Sequence, residues 1–334
     1  MLWLAMGIIT TPFAMAHGQS TAPAAEPPAD ATSQPEIPAI SNVTGILTPK
    51  GTLVIEPSMV LSHTSINRVI LEGYTVIPAI TVGSIDIRQV DRDVVTAAMT
   101  ARYGVTDRFE FDLKIPYVYR YDSLTTRPVG TGADADVISD TEGAGLGDVE
   151  IGLHYQMNDG VGGSPFYVAN LRIKSDTGTD PFEVPLDAVS GLETELPTGT
   201  GFWSLEPSLT VLFPSDPAVF FGNVGYLWNI ERDVGGTYGT IDPGDALRFS
   251  VGMGYGINEK SSFSLGYEHS VIMRSQQNGQ DIAGTDLQIG SLLLGWSYRI
   301  SEKTAYNLTI GIGATDEAPD AKIELRIPIR YDLF

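Results

Sequence analysis

The sequence predicts an all-β protein, namely an antiparallel transmembrane β-barrel of about twelve strands, with about fourteen as the alternative. Apolar and polar residues alternate in segments of roughly ten residues, which is the side-chain period of a β-strand. The apolar face ends in aromatic residues, while the polar face is rich in charge. Short turns alternate with long polar loops, which is typical of barrels with short periplasmic turns and long extracellular loops.

Two segments show the alternation most clearly. In the segment from Gly145 to Gln156, one face carries Asp148, Glu150, His154 and Gln156, and the other Val149, Ile151, Leu153 and Tyr155. In the segment from Arg108 to Arg120, one face carries Glu110, Asp112, Lys114 and Arg120, and the other Phe109, Phe111, Leu113, Ile115, Tyr117 and Tyr119. Because so much charge shares one face, we predict that this face lines a wet lumen and that the apolar face contacts lipid.

Working back from the C-terminus, the alternation predicts eleven strands near residues 321–334, 303–314, 285–300, 261–274, 245–257, 217–231, 201–213, 164–176, 146–158, 108–121 and 93–104. The longer connections are predicted at residues 122–145, 177–199, 232–244, 275–284 and 315–320. Upstream, Thr52–His63 and Arg68–Arg88 add one strand or three, because a barrel with both ends in the periplasm needs an even number. Pro78 indicates a bend or turn in the second of these segments.

The N-terminal part is predicted to lie outside the barrel. Residues 1–16 resemble a signal peptide, with an apolar stretch from Leu2 to Met15 and small residues before His17, although no Lys or Arg precedes that stretch. Residues 17–46 are rich in Ala, Pro and acidic residues and are expected to form a flexible, disordered periplasmic segment. The barrel is therefore assigned to residues 47–334.

Composition excludes several classes of protein. No apolar run reaches the roughly 18 residues that a membrane-spanning helix needs. The absence of cysteine fits an oxidising compartment. A net charge of −21 argues against nucleic-acid binding. Acidic residues cluster in the two longest loops, where they either gather cations at a channel mouth or simply form solvated surface.

If the apolar phase of each strand faces lipid, the charged side chains of the other phase must face inward, since a basic residue in mid-bilayer would cost roughly 2–4 kcal/mol. Positive and negative charges nearly cancel in this set. The candidate lumen-lining residues are Glu110, Asp112, Lys114, Arg120, Asp148, Glu150, His154, Arg172, Lys174, Glu206, Arg248, Glu268, Glu324 and Arg326.

Few motifs indicate catalysis. The chain has only four histidines, and no metal site or other cofactor is expected. His269 and Ser270 are adjacent, but neighbouring residues of a strand point to opposite faces and cannot form a dyad. The glycine runs at residues 143–147 and 252–256 lack the strand-to-helix context of a phosphate loop. They are expected instead to permit curvature or close approach of a plug, and the second run suggests a smooth inner stripe.

Three segments carry a family resemblance. Leu47–Ser58, Arg102–Arg120 and Gly145–Gln156 resemble the meta-pathway phenol-degradation family of outer-membrane channel proteins, a likeness that covers residues 45–334. The resemblance implies a Gram-negative outer-membrane barrel, which is a route for aromatic or other hydrophobic compounds. It carries over no functional residue. The last strand, which ends at Phe334, also resembles the signal read by the barrel assembly machinery.

The sequence thus predicts a porin-like transport protein of the bacterial outer membrane, a channel for passive passage of small hydrophobic or aromatic solutes. The expected partners are outer-membrane lipids and lipopolysaccharide, the assembly machinery and a small-molecule solute, with no nucleic acid. An enzyme is not expected. Two alternatives stay open: a barrel-embedded hydrolase that acts on lipid, with catalytic partners from loops, and a structural or adhesion barrel whose lumen is plugged by ion pairs.

Overall fold

The computed structural model describes residues 47–66, 85–128, 137–160, 163–185, 194–215, 217–236 and 238–333. The predicted signal peptide (1–16) and flexible segment (17–46) lie outside the described residues, as do most of the segment Arg68–Arg88 and the terminal Phe334. None of the described residues forms a helix long and apolar enough to cross a membrane.

The described chain is built from β-strands. They are β1 Thr52–Ile66, β2 Ile85–Thr106, β3 Phe109–Pro128, β4 Val137–Leu146, β5 Glu150–Gln156, β6 Phe166–Lys174, β7 Ser204–Ser215, β8 Ala218–Asn229, β9 Arg232–Asp233, β10 Thr240–Asp242, β11 Ala246–Gly256, β12 Ser261–Ile272, β13 Gln276–Gln277, β14 Gln280–Asp281, β15 Leu287–Ser301, β16 Thr304–Gly313, β17 Ala321–Arg326 and β18 Ile329–Asp332.

Fourteen of these strands form one closed antiparallel sheet. Sequential neighbours pair around the barrel, and β17 and β18 pair with β1 to close it. Two strands of the barrel are each divided into two segments, β4 with β5 and β17 with β18. The fourteen segments therefore make a barrel of twelve strands. The predicted twelve-stranded barrel is confirmed, and the described strands close it without residues 67–84.

The connections differ in length at the two ends of the barrel. We call the end with the tight turns at 107–108, 257–260 and 302–303 the turn end, and the opposite end the loop end. At the loop end, β9, β10, β13 and β14 form a separate four-stranded sheet. The predicted loop at 122–145 needs correction, because β3 continues to Pro128 and β4 begins at Val137, so that a long hairpin takes the place of much of that loop.

The outer face of the barrel is apolar. Met59, Leu61, Met99 and Ile115 are at least two-fifths exposed, which only an apolar solvent explains. Large aromatic side chains lie toward both ends of this outer face, among them Tyr117, Tyr119, Trp203, Tyr226 and Trp228 toward the loop end and Tyr155, Tyr167, Phe213, Tyr255, Tyr298, Tyr306 and Tyr331 toward the turn end. Aromatic girdles of this kind mark the two interfaces of a bilayer.

The crossing formed by β4 and β5 contains a β-bulge. Tyr117 pairs with Leu146 and Lys114 pairs with Glu150, so two residues of β3 face the three residues Gly147–Val149. Before the bulge the odd-numbered residues face inward, and after it the even-numbered ones do. The predicted strict alternation from Gly145 to Gln156 is therefore wrong across the bulge. The extra residue is what turns Asp148 into the lumen beside Gly147.

The strand formed by β17 and β18 is interrupted, but the same alternate residues face inward on both sides of the interruption. The pairs Ser58 with Arg326 and Ile55 with Ile329 follow one register. The interruption falls at Ile327 and Pro328, where proline lacks the N–H that a ladder hydrogen bond requires. Arg326 and Glu324 accordingly stay on the inner face, as the alternation predicts.

Candidate functional site in the barrel lumen

The lumen holds a cavity of about 570 Å³. Of the predicted lumen residues, twelve line it: Asp112, Lys114, Asp148, Glu150, His154, Arg172, Lys174, Glu206, Arg248, Glu268, Glu324 and Arg326. The other two, Glu110 and Arg120, are also on inward phases but lie buried behind parts of the chain that pack against the inner wall. The lining also includes serine, threonine, valine, leucine and isoleucine side chains, so the cavity is amphipathic.

Five charged residues form a continuous row of ion pairs across the inner wall, which we call the charge row: Lys114, Glu150, Arg172, Glu206 and Arg248. Lys114 Nζ lies 3.2 Å from Glu150 Oε1, and Arg172 donates to both Glu150, at 3.1 Å, and Glu206. Arg248 donates to the same Glu206 oxygen at 3.0 Å. The first four members lie on neighbouring inward positions of the adjacent strands β3, β5, β6 and β7, where opposite charges can pair directly.

The last link of the charge row depends on a glycine that the sequence analysis did not single out. Gly225 on β8 lies between Ser208 on β7 and Arg248 on β11. A Cβ at this position would stand 3.3 Å from Glu206 Oε1. With no side chain there, Glu206 and Arg248 can meet across β8. The sequence does contain a signal for this position, because an inward glycine in a strand otherwise rich in apolar residues often marks the close approach of another group.

A second group of charges lies nearer the turn end. Arg102 donates to Glu56 at 2.5 Å, and Arg326 lies 3.7 Å from both Glu56 and Glu324. Glu56 and Arg102 were absent from the predicted set. The alternation of Leu53, Ile55 and Pro57 with inward residues would have identified Glu56.

His154 is held by two polar neighbours. Its Nε2 lies 2.7 Å from Asp112 Oδ2 and its Nδ1 lies 2.8 Å from Asn170 Oδ1, so both ring nitrogens are engaged. His269 takes the outward phase, where its ring stacks on Phe249 at 5.1 Å and its Nδ1 lies 2.9 Å from the Tyr267 hydroxyl. Ser270, the next residue of β12, points to the opposite, inner face. The predicted separation of His269 and Ser270 onto opposite faces agrees with this geometry.

Apolar and small residues cover the wall on β8, β11, β12 and β15. Leu227, Ala246, Ile272 and Leu287 form a buried cluster with Ile289 packed against it. Nearer the turn end, Gly252 and Gly266 lie opposite each other on paired strands. A Cβ on Gly252 would stand 2.3 Å from Cζ of the Phe221 ring, so the ring occupies the space beside this glycine. The predicted smooth stripe is thus partly covered by an aromatic ring.

A long connection folds inward at the loop end. We call residues 175–185 and 194–203, which link β6 to β7, the inner loop. Asp148 anchors it: Oδ1 accepts the Gly178 N–H at 3.0 Å, and Oδ2 accepts the Thr200 N–H at 2.9 Å and the Lys174 ammonium at 2.8 Å. Arg120 donates to the Pro197 carbonyl at 2.9 Å. Because Asp148 and Arg120 face inward, the inner loop lies against the lumen wall.

The first glycine run makes room for the inner loop. A Cβ on Gly143 would stand 2.1 Å from the Leu196 carbonyl oxygen, and one on Gly145 would stand 3.3 Å from Thr198 Oγ1. Thr198 donates from Oγ1 to the Leu146 carbonyl at 2.8 Å. The close approach of a plug expected for this run is what the structure shows.

The inner loop is joined to the next connection at the loop end. Arg232 donates to Asp180 and lies 5.7 Å from the centroid of the Phe202 ring. Phe182 makes edge contacts with the rings of Phe202 and Tyr238, with centroids 5.9 and 5.4 Å apart. These contacts give the loop end a small packed core of its own.

The described chain also enters the barrel at the turn end. The N–H of Thr48 donates to Oε2 of the fully buried Glu110 at 2.7 Å. Leu47 is 3% exposed. A Cβ on Gly104 would stand 2.2 Å from the Pro49 carbonyl oxygen, so glycine is required for residues 47–50 to lie against this wall. The lumen is therefore narrowed at both ends by parts of the same chain.

Comparison with known proteins identifies the fold and the family. The crystal structure of the COG4313 outer membrane channel from Pseudomonas putida F1 matches with a TM-score of 0.56 and 14% sequence identity, over 85% of this chain and 97% of that one. This likeness shows that the two chains share their barrel fold. The translocator domain of the autotransporter NalP from Neisseria meningitidis matches at a TM-score of 0.45 and 7% identity, over 85% of this chain and 89% of that one. The Ralstonia pickettii toluene transporter TbuX matches with a TM-score of 0.39 and 11% sequence identity, over 86% of this chain and 90% of that one.

A family model described as "Putative MetA-pathway of phenol degradation" matches residues 80–331, which is about three quarters of the chain. The match covers β2 to β17 in full and most of β18. The chain belongs to this family.

Proposed function

We propose that this protein is a passive channel of the bacterial outer membrane for small solutes that combine a polar group with an apolar or aromatic body. The observation that carries the proposal is the amphipathic cavity inside the closed barrel. The charge row and its neighbours supply hydrogen-bond donors and acceptors, and the apolar cluster around Leu227 and Ile272 supplies apolar surface. The aromatic part of the proposal follows from the description of the family as one of phenol degradation.

Strand number supports a narrow pathway. Eight-stranded barrels are filled by their own side chains, and barrels of sixteen strands or more leave an open aqueous channel. A barrel of twelve strands lies between these limits. The inner loop and residues 47–50 narrow it further, so the proposed channel admits small solutes one at a time.

The geometry favours a channel over a lipid hydrolase. The side chains of His269 and Ser270 point to opposite faces of β12, so the two cannot act as one dyad. His154 has both ring nitrogens engaged by Asp112 and Asn170. A hydrolase would need a nucleophile within hydrogen-bond distance of one of these imidazoles.

One observation favours a plugged structural barrel as the second candidate. The inner loop and residues 47–50 are both held on the inner wall by hydrogen bonds to buried carboxylates. If these contacts persist in the membrane, the lumen is closed at both ends. The proposal requires instead that the contacts at both ends open on the time scale of solute passage.

The experiment is a pair of assays on the refolded full chain. In planar bilayers, a channel gives discrete conductance steps. In proteoliposomes, it gives faster swelling with phenylalanine, an aromatic solute that crosses lipid slowly, than protein-free liposomes show. Heat-denatured protein serves as the control. Silence in both assays, from protein that shows the folded band on unheated electrophoresis, would contradict the channel and favour the plugged barrel.

A further inference from the structure

Glu268 is a lumen carboxylate that stands apart from the ion pairs. Its side chain lines the cavity, yet within the residues that the structure describes no hydrogen bond or ion pair engages its carboxylate. The neighbouring carboxylates Glu150, Glu206 and Glu324 each contact at least one Arg or Lys side chain. A carboxylate that lines a cavity without such a partner can accept hydrogen bonds from the donors of an occupant.

The strand register defines what surrounds Glu268. Ser250 on β11 and Ser291 on β15 lie directly opposite it, one on each side. Side chains directly opposite across a ladder have Cβ atoms about 4.5–5.5 Å apart, so both hydroxyls lie within reach of a group bound at the carboxylate. Ser270 is the next inward residue toward the loop end. Each of these serines lines the cavity.

The cation nearest to Glu268 in the register is already engaged. Arg248 lies diagonally across the β11–β12 ladder from Glu268, but its guanidinium donates to Glu206 at 3.0 Å. Glu206 is shared between Arg248 and Arg172, so the end of the charge row is held toward β7 and away from β12. The carboxylate of Glu268 is therefore left to the cavity.

Apolar side chains border the same position. Ile289 and Leu293 lie diagonally across the β12–β15 ladder from Glu268, and both line the cavity. Gly266, the next inward residue of β12 toward the turn end, adds no side chain between them. A carboxylate with hydroxyl acceptors on both sides and apolar walls beside it matches a primary ammonium group on a small apolar body.

We infer that Glu268, Ser250, Ser291, Ile289 and Leu293 form a binding site for small organic ammonium ions inside the lumen. The ammonium group donates to the Glu268 carboxylate and to the serine hydroxyls, and the apolar body lies against Ile289 and Leu293. This inference rests on the proposed channel function, because the site lies on the lumen wall. It makes Glu268 the residue that discriminates organic cations from organic anions of the same size.

The test measures block of the potassium current through single channels in planar bilayers. Benzylammonium added on either side is expected to reduce the current in the wild-type protein, while benzoate at the same concentration leaves it unchanged. In Glu268→Gln, the benzylammonium concentration for half-maximal block should rise about tenfold, since a charge-assisted hydrogen bond is replaced by a neutral one. The matched control is Glu259→Gln, which removes the same charge from the exposed turn of the same hairpin. Benzylammonium should block this variant at the same concentration as the wild type.

A second variant covers the case in which Glu268→Gln does not fold. Ser291→Lys places a cation directly opposite the carboxylate and should abolish the block in the same way. Equal block by benzoate, or unchanged block in both variants, would overturn the inference while leaving the channel in place. Absence of current in the wild type, together with no faster swelling of proteoliposomes, would instead contradict the proposed function itself.

Discussion

The carboxylate of Asp148 binds Thr200, a residue 52 positions later in the chain, through two hydrogen bonds to the same oxygen. The Thr200 N–H donates at 2.9 Å and its hydroxyl at 2.7 Å. Asp148 owes its inward direction to the bulge at Gly147–Val149, and Thr200 belongs to the inner loop. This one contact therefore links an irregularity in the barrel wall to the narrowing of the lumen.

Replacement of Asp148 should widen the pathway. Asp148→Ala removes the acceptor for Gly178, Thr200 and Lys174, so the inner loop should leave the wall and the single-channel conductance should rise. We expect a loss of about 3–5 kcal/mol in the free energy of unfolding, because a buried ion pair is broken. Asp332→Ala, which removes an exposed carboxylate at the turn end, is the control and should change neither quantity. An unchanged conductance in folded Asp148→Ala would show that the inner loop does not limit passage.

The glycine run supplies an independent test of the inner loop. Gly143→Val would force a side chain into the space of the Leu196 carbonyl, so the inner loop should be displaced, with higher conductance and faster proteolysis of the loop end in intact vesicles. Ala144→Val adds similar bulk to the exposed outer face of the same strand and should behave as wild type, within about 0.5 kcal/mol in stability. If the two variants cannot be told apart, steric contact at Gly143 is not what seats the loop.

The charge row should contribute to stability through its central cation. Arg172→Met leaves Glu150 with Lys114 and Glu206 with Arg248, so each carboxylate loses one of two partners. Since the Arg172 side chain is 31% exposed, we expect a moderate loss of about 1–3 kcal/mol, measured by urea unfolding in lipid vesicles. The control Arg108→Met breaks an exposed pair with Asp159 and should cost less than about 1 kcal/mol. Equal losses in the two variants would argue against a special role for the row.

One histidine outside the membrane-spanning part should titrate abnormally. His63 follows Leu61, the last apolar residue of the outer face of β1, and its Nδ1 lies 2.7 Å from Asp93 Oδ1. The hydrogen bond to Asp93 raises the pKa of His63 above its ordinary value of 6.5. Because the folded-state pKa is the higher one, the pair stabilises the protein fully below the unfolded-state pKa, and this contribution is lost as the pH rises through the folded-state pKa.

The measurement is an NMR titration of the histidine rings in detergent micelles. Asp93→Asn should lower the pKa of His63 toward the value of a free histidine, while the distant Asp159→Asn should leave it unchanged. A His63 titration that is identical in the wild type and in Asp93→Asn would refute the pairing.

The sequence alone determined the barrel and the direction of most side chains, and it reduced the strand number to twelve or fourteen. The alternation from Phe109 to Tyr119 leaves only one way to place Glu110, Asp112 and Lys114, because a charge facing lipid is too costly. The same reasoning placed Arg172, Glu206 and Arg248 on the inner phase. The side-chain period of a strand and the polarity of its two faces are local properties, so the sequence of a single strand is enough to assign them.

Only the tertiary structure decided which charges pair and what narrows the lumen. Glu206 and Arg248 meet because Gly225 leaves the space between them, and Thr48 meets Glu110 because Gly104 admits the chain. The bulge before β5 changes the phase of a strand whose sequence reads as one uninterrupted alternation. These features depend on residues far apart in the chain, and a contact between distant segments is set by how the closed barrel brings its strands together, which no local periodicity encodes.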